Sequence, residues 1–175
     1  ARGVEYAGLR RGSEDRARIG AMMGSALGGL SFAEGQLHNF LTQGMRSVDP
    51  TLALNVFAGA ASCNIAIELG VQGPNSTNGM SCASGTIAVG DGYRAIRDGY
   101  ADVMFAGGAE APLSPLCFGS FSIIRAMSTR HNDPARASPP FGQDRAGFVM
   151  GEGGAVLCLE GFAPAVARRP PHHPE

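Results

Sequence analysis

"NGMSCASGT", residues 78–86, places a cysteine between two serines, shortly before a glycine and a helix-like run. If a helix begins at Ala83, Cys82 lies at its N-terminus, where unpaired backbone N–H groups and the helix dipole favour a thiolate. The small residues Ala83, Ser84 and Gly85 would let a substrate carbonyl approach the sulfur, as on the nucleophile elbow of hydrolases. The stretch therefore fits a cysteine nucleophile on a sharp strand-to-helix turn.

The same residues also fit a structural cysteine in a turn-rich segment. An isolated cysteine among small residues more often serves packing than catalysis. Asn78 and Gly79 form a hairpin-turn signal, and "PNSTNGM", residues 74–80, is poor in the β-branched and aromatic residues expected of a strand that feeds an elbow. Local sequence leaves both interpretations open.

Three apolar runs around this stretch predict strands, and the first two of them predict buried ones. They are "RIGAMMGS" at residues 18–25, "DVMFAGG" at 102–108 and "GAVLCLE" at 154–160. The order of strand, loop, helix, turn and strand around Cys82 is typical of a crossover between strands of one sheet. These runs indicate an α/β fold.

Helical signals precede the cysteine. "SFAE" at Ser31–Glu34 has the form of a capping box, which predicts a helix that ends near Gly44. Asp49–Pro50 is a second helix start, followed by an alanine-rich stretch that should end near Gly70 and break at Gly59.

Helical spacing also follows the cysteine. Val89, Tyr93 and Ile96 are spaced as one apolar stripe of a helix, and Gly99 is a plausible stop. Residues 112–142 are rich in loop formers and predict irregular structure.

Composition excludes several functions. The 175 residues, 44% of them hydrophobic, suffice for one domain with an ordinary core, and a net charge of −1 offers no broad basic surface for nucleic acid. All positive side chains are arginines, so "GSALGG" at residues 24–29 lacks the lysine that a phosphate-binding P-loop needs. No apolar run could span a membrane or act as a signal peptide, which favours a cytoplasmic protein.

The four cysteines are far apart, with no CxxC pair among Cys63, Cys82, Cys117 and Cys158. This spacing argues against a metal cluster or a redox motif, and in a reducing compartment it argues against disulfides. We therefore interpret them as four separate thiols.

Five blocks of the chain resemble the β-ketoacyl synthase family, the condensing enzymes of fatty-acid and polyketide synthesis, and most closely its elongating 3-oxoacyl-acyl-carrier-protein synthases. They occur in family order and spacing: "GSALGGL" (24–30), "GPNSTNGMSCASGT" (73–86), "DGYADVMFAGGAE" (98–110), "RAMSTRHNDPARAS" (125–138) and "GFVMGEGGAVLCLE" (147–160). The resemblance implies a thiolase-like α/β fold in which two duplicated halves stack as α-β-α-β-α layers, usually in a homodimer. The chain matches mainly the N-terminal half.

The resemblance divides the chain into three parts. Residues 1–17 are an irregular N-terminal segment, 18–160 are a partial β-ketoacyl synthase N-terminal-type domain, and 161–175 are a Pro/Arg/His-rich tail that we expect to be disordered. The family continues with a charged helix where this tail begins, and an incomplete or frame-shifted gene end would produce such a change.

The resemblance also implies a reaction. Cys82 would take an acyl group from acyl carrier protein, and the carbanion left by decarboxylation of a malonyl carrier protein would then attack the acyl-enzyme, without a metal or organic cofactor. It implies that Asn78 and Gly79 end the strand before the elbow. Leu27 and Phe121 match positions that line the acyl pocket, and core packing is the competing interpretation for both. Arg46 and Arg125 match basic positions near the pocket entrance that meet the acidic carrier protein, although exposed arginines are otherwise ordinary surface.

Two family histidines that assist decarboxylation have no match in this sequence. His38, His131, His172 and His173 all fall in positions that predict surface or loop histidines. The chain could therefore be a catalytically incompetent remnant that binds a carrier protein at most. The interpretation as a thiolase or a hydrolase is weaker still. A thiolase needs a second cysteine with a histidine, and a hydrolase needs a base, and neither is recognised in this sequence.

Overall fold

A computed structural model describes residues 15–162 and Val166. Residues 1–14 of the predicted irregular segment therefore lie outside the described residues, as does most of the predicted tail. Asp15 begins the described part by accepting a hydrogen bond of 3.0 Å from the backbone N–H of Ala17, which caps a short 3-10 turn at Arg16–Arg18.

Four strands form one mixed sheet. They are β1 (Ile19–Gly24), β2 (Asn75–Asn78), β3 (Val103–Glu110) and β4 (Gly153–Glu160), in the order β2-β1-β3-β4. Strand β1 runs parallel to β2 and β3, and β4 runs antiparallel to β3. The three strands predicted from apolar runs are confirmed.

Strand β2 contradicts the hairpin signal at Asn78 and Gly79. Asn78 is its last residue and is paired with Gly24 of β1, as the family resemblance implied. The polar side chains suit the strand because a neighbouring helix satisfies them: Asn75 Nδ2 donates to the Ser62 carbonyl at 3.2 Å, and Thr77 Oγ1 donates to Ser62 Oγ at 2.8 Å. Tertiary hydrogen bonds here override the local β-propensity.

The helices are α1 (Leu30–Gln43), α2 (Leu52–Asn55), α3 (Ala60–Leu69), α4 (Ser84–Arg97) and α5 (Pro115–Ile123). The predicted helix before Gly44 is confirmed, as is the helical stretch that breaks at Gly59 and stops at Gly70 in the left-handed conformation. Helix α5 was missed, because it lies within the segment of loop formers. In the part of the chain that the structure describes, no helix is both long and apolar enough to cross a membrane.

The capping box predicted for α1 is wrong. The helix begins one residue earlier than predicted, with Gly29 as its N-cap and no side-chain cap. Ser31 Oγ instead donates to the Ala111 carbonyl at 2.6 Å, and the Glu34 carboxylate accepts the backbone N–H of Leu116 at 2.9 and 3.2 Å. Both side chains thus join α1 to the segment after β3.

Helices pack against both faces of the sheet at β1 and β3, whereas β4 is largely exposed. On one face, a core that includes Ile19 and Phe105 packs against Ile65 and Leu69 of α3. On the other face, Met104 is fully buried in a cluster with Ala95 of α4. These two cores place the sheet in the middle of the described residues, with α4 lying along it.

The buried stripe of α4 differs from the predicted one. Its buried residues are Ser84, Ala88, Gly92 and Ala95, all small. Tyr93 is 57% exposed, and the guanidinium of Arg97 lies 5.9 Å from the centre of its ring. Periodicity identified the helix but not its buried face, because α4 packs too closely on the sheet for large side chains.

This close packing predicts opposite effects for two glycines of α4. A Cβ on Gly92 would lie 2.9 Å from the Ala106 Cβ, whereas a Cβ on Gly90 would have nothing within 4 Å. We expect Gly92→Ala to lower the free energy of unfolding by about 1–3 kcal/mol through overpacking. Gly90→Ala should raise it by about 0.5–1 kcal/mol, since alanine is the better helix former. Urea unfolding of the two variants measures both values, and equal effects would contradict the packing described.

Candidate active site

The carboxyl ends of the three parallel strands meet at one edge of the sheet. Gly24 at the end of β1 pairs with Asn78 of β2 on one side and with Gly108 of β3 on the other. Open α/β sheets bind their ligands in the crevice outside this edge. The candidate site is therefore built from the segments that follow β1, β2 and β3.

Cys82 lies in the turn between β2 and α4. The turn is a 3-10 segment, Ser81–Ala83, and the α-helix begins at Ser84, one residue later than the predicted start. Cys82 is exposed. Ser81 has a φ of 51°, a left-handed conformation that non-glycine residues adopt only when surrounding structure holds them there. The chain thus makes a sharp, strained turn from strand to helix at the cysteine.

Asn78 holds both ends of this turn. Its side-chain Nδ2 donates to the Ser84 carbonyl at 3.0 Å, and its Oδ1 accepts the backbone N–H of Met80 at 3.3 Å. One amide therefore closes the segment that contains Cys82.

The first turn of α4 rests directly on the end of β1. A Cβ on Gly24 would lie 2.2 Å from the Ser84 carbonyl carbon and 2.5 Å from the Gly85 nitrogen. No side chain can occupy this position without moving the helix. The contact fixes the start of α4 relative to the sheet and, with it, the height of Cys82 above the strand ends.

Leu27 lies half-buried in the loop that follows β1. Glu110, the last residue of β3, holds this loop: its carboxylate accepts hydrogen bonds from Ser25 Oγ at 3.1 Å, from the Leu27 N–H at 3.2 Å and from the Ala26 N–H. Ser25 Oγ in turn accepts the Gly28 N–H at 2.9 Å. The loops after β1 and β2 thus leave the same edge of the sheet, which places Leu27 and Cys82 on that edge.

Phe121 lies half-buried on α5. Its ring meets that of Phe148 edge to face, with 5.5 Å between the ring centres. Ser114 caps the helix by accepting the Cys117 N–H, and Glu34 accepts the next free N–H group, from Leu116. Helix α5 is therefore fixed at its N-terminus by its own serine and by α1.

The loop before β4 keeps Phe148 against Phe121. The backbone N–H of Phe148 donates to the Ala126 carbonyl at 3.1 Å. Farther out in the loop, Arg130 Nη2 donates to Asp144 Oδ2 at 3.0 Å. That hydrogen bond holds the pKa of the Asp144 carboxyl below its usual range.

The two predicted docking arginines are both exposed. Arg46 lies in the 3-10 turn Met45–Ser47 after α1, and Arg125 follows α5 with a φ of 55°. Among residues 15–162, neither guanidinium forms a salt bridge. Both charges are therefore available to a partner.

Neither of the two described histidines lies on the segment that carries Cys82. His38 is exposed on α1 and His131 is exposed in the loop before β4, while His172 and His173 lie outside the described residues. Over the described range, no group of three or more His, Cys, Asp or Glu side chains could hold a metal ion.

Sequence reasoning missed the residues that hold the site together, Asn78 as a turn clamp, Glu110 and Ser25. Asn78 and Glu110 lie in the quoted blocks that resemble the family, but the blocks do not show what these two side chains bind. The partners of Asn78 are only two and six positions away, but those of Glu110 are recognised only when the strand ends are brought together, since Glu110 and the loop it holds are more than 80 positions apart in the chain.

A mixed α/β sheet with an exposed cysteine at a strained strand-to-helix turn fits one half of the thiolase-like fold that the resemblance implies. The family model for the β-ketoacyl synthase N-terminal domain matches residues 1–165, and the chain belongs to this family. It is similar to 3-oxoacyl-[acyl-carrier-protein] synthase 2 of Synechocystis, with 43% identity over 150 residues that are 86% of this chain and 36% of the relative. It is also similar to a putative polyketide β-ketoacyl synthase 1 of Streptomyces halstedii, with 40% identity over 96% of this chain and 41% of the relative.

Solved structures agree with this assignment. A type II polyketide synthase acyl carrier protein in complex with its ketosynthase bound to the hexaketide matches with a TM-score of 0.85 and 31% identity, over 94% of this chain and 42% of that one. A β-ketoacyl synthase from Burkholderia phymatum matches with a TM-score of 0.77 and 30% identity, over 96% and 43%. The predicted fold and family are confirmed, and the chain spans about two fifths of the length of these relatives.

Removal of the Asn78 side chain should affect both the stability of the whole domain and the local order of the turn. Asn78→Ala should lower the free energy of unfolding by about 1–3 kcal/mol, because the Met80 N–H and the Ser84 carbonyl lose their partner. It should also speed amide hydrogen exchange at Met80. Asn64→Ala, on the exposed side of α3, is the matched control and should be neutral or slightly stabilising. Unchanged exchange at Met80 in the Asn78 variant would show that the amide does not hold the turn.

Proposed function

We propose that this chain is the nucleophile-bearing part of an acyl-carrier-protein-dependent ketosynthase, with Cys82 as the residue that accepts the acyl group. One observation carries the proposal: within a β-ketoacyl synthase domain, Cys82 is exposed on a strained turn at the carboxyl edge of the parallel strands. The N-terminus of α4 begins two residues later, and the positive end of its helix dipole favours negative charge there.

The proposed reaction has two half-reactions. The Cys82 thiolate attacks the carbonyl carbon of an acyl thioester, and the carrier's thiolate leaves and takes a proton, so that a new thioester forms on Cys82. A malonyl thioester then loses carbon dioxide, and its carbanion attacks the acyl-enzyme carbonyl. The new carbon–carbon bond gives the 3-oxoacyl carrier thioester and returns the Cys82 thiolate.

The residues of this chain contribute mainly to the first half-reaction. The backbone N–H of Cys82 is a candidate donor to the oxyanion that forms when the thiolate attacks. Leu27 and Phe121 are proposed walls of the acyl pocket, each half-buried on an element fixed by hydrogen bonds at its start. The family assigns decarboxylation to two histidines that match no position in this sequence.

An acyl carrier protein is the proposed partner. Arg46 and Arg125 are exposed and lack an internal carboxylate partner among the described residues, which suits an acidic surface. A related ketosynthase has been solved in complex with an acyl carrier protein. The homodimer and the cytoplasmic location that the sequence favoured stay predictions.

Acylation of Cys82 tests the proposal directly. Incubation of the chain with an acyl carrier protein thioester or with cerulenin should give one adduct, which peptide mass spectrometry should place on Cys82, because Cys117 is buried and Cys63 is half-buried. Cys82→Ala should remove the adduct. Labelling of Cys63 or Cys117 with Cys82 left unmodified would contradict the proposal.

The same protein distinguishes a ketosynthase from an incompetent remnant. If only the acyl-accepting half-reaction is possible, Cys82 is acylated, but malonyl carrier protein yields no 3-oxoacyl product above the Cys82→Ala background. Product above that background would refute the remnant hypothesis.

Charge reversal at the docking arginines should affect only the carrier-bound substrate. We expect Arg46→Glu and Arg125→Glu to slow acylation by acyl carrier protein about tenfold at low salt, since they remove electrostatic steering. Acylation by a small acyl-pantetheine thioester should keep its rate. Arg16→Glu is the matched control, since Arg16 is exposed, forms no salt bridge among the described residues and precedes β1 at the opposite end of the strand from the site. Equal slowing of both substrates would argue against docking at these positions.

A further inference from the structure

A chain of hydrogen bonds runs through the loop after β1 and ends on the carboxylate of Glu110. Its Oε1 accepts from Ser25 Oγ at 3.1 Å and from the Leu27 N–H at 3.2 Å, and its Oε2 accepts from the Ala26 N–H. Ser25 Oγ passes the chain on by accepting the Gly28 N–H at 2.9 Å. Every donor in this chain therefore belongs to the loop, and the chain ends on the carboxylate at the end of β3.

Only an acceptor group can fill this position. A carboxylate offers acceptor sites on both oxygens, whereas the amide of a glutamine has donors at one of its two ends. In Glu110→Gln, the side-chain NH₂ takes the place of one of the two oxygens. It then faces either the Ala26 N–H, or both the Leu27 N–H and Ser25 Oγ, and cannot accept a hydrogen bond from any of them. Ser25 is only 5% exposed, so water cannot easily replace a lost bond.

These contacts also decide between two uses of the carboxylate. A general base near Cys82 would need an oxygen directed toward the reacting groups. Both oxygens of Glu110 are instead engaged by the loop that carries Leu27, and one of these hydrogen bonds comes from the Leu27 backbone N–H itself. The carboxylate thus acts on the position of Leu27 rather than on a proton.

We infer that Glu110 is a positioning residue that sets acyl-chain-length preference by fixing the backbone of Leu27 at the edge of the acyl pocket. The inference rests on the proposed function, because it takes Leu27 as a pocket wall and Cys82 as the acyl acceptor. When the loop is held, the leucine side chain closes the pocket at a defined depth. When the loop is released, longer acyl chains fit.

Acylation of Cys82 by a series of thioesters measures this preference. The full chain is incubated with octanoyl- and hexadecanoyl-pantetheine, and the two acylation rates are compared by intact-protein mass spectrometry. Glu110→Gln should shift the ratio of rates toward the hexadecanoyl group about tenfold, the discrimination that a few contacts in an apolar pocket supply. Leu27→Ala should shift it in the same direction, and the double variant should shift it no further.

Two controls separate positioning from a general loss of structure. Glu152→Gln alters another carboxylate that accepts a backbone N–H, that of Leu113 at 2.9 Å, and should leave the ratio unchanged. If Glu110→Gln does not fold, Ser25→Ala removes the link to Gly28 while the carboxylate keeps its two backbone bonds, and it should shift the ratio in the same direction by a smaller factor.

The outcomes are distinct. An unchanged ratio in the folded variant, or equal slowing of both thioesters, overturns the inference and leaves the proposed function in place. A double variant that shows the sum of both shifts overturns it as well, since Glu110 would then act independently of Leu27. No acylation of Cys82 in the unaltered chain overturns the proposed function and the inference with it.

Discussion

The contact between the first turn of α4 and the end of β1 is the constraint on which the site depends. At Gly24 the helix backbone comes so close that a Cβ would lie 2.2 Å from the Ser84 carbonyl carbon. The same closeness extends along the helix, whose buried face consists of Ser84, Ala88, Gly92 and Ala95. A helix held this near the strand ends presents its preceding turn, with Cys82, at the sheet edge where ligands of open α/β sheets bind.

Such a close contact leaves polar groups at the strand ends that the sheet itself does not pair. Buried polar groups without partners are costly, so side chains near these ends act as acceptors and donors for the segments that follow. Asn78 closes the turn after β2, Glu110 holds the loop after β1, and Glu34 reaches across to the start of α5. The turn with Cys82 is thus closed by its neighbour Asn78, whereas the loop with Leu27 and the helix with Phe121 are each held by a carboxylate from another part of the fold.

Much of the fold could be predicted from short-range patterns. Apolar runs identified β1, β3 and β4, and Gly59 and Gly70 marked the break and the end of the helical stretch. Strand β2 could not be recognised, because its Asn75 and Thr77 are stabilised by Ser62 of a helix and not by strand propensity. Helix α5 did carry a start signal, Ser114 followed by Pro115, but it lay within a segment whose overall composition favours loops.

The site was predictable only in part for the same reason. Local residues left Cys82 undecided, and the ordered family blocks assigned it. Neither could reveal Glu110, whose role exists only once β3 and β1 are adjacent. The contacts that place Cys82 and Leu27 all come from within residues 15–162: the Asn78 clamp, the Gly24 contact and the Glu110 carboxylate. The position of the proposed acyl acceptor is therefore set without the histidines that the family uses for decarboxylation, so the two proposed half-reactions can be tested separately on this chain.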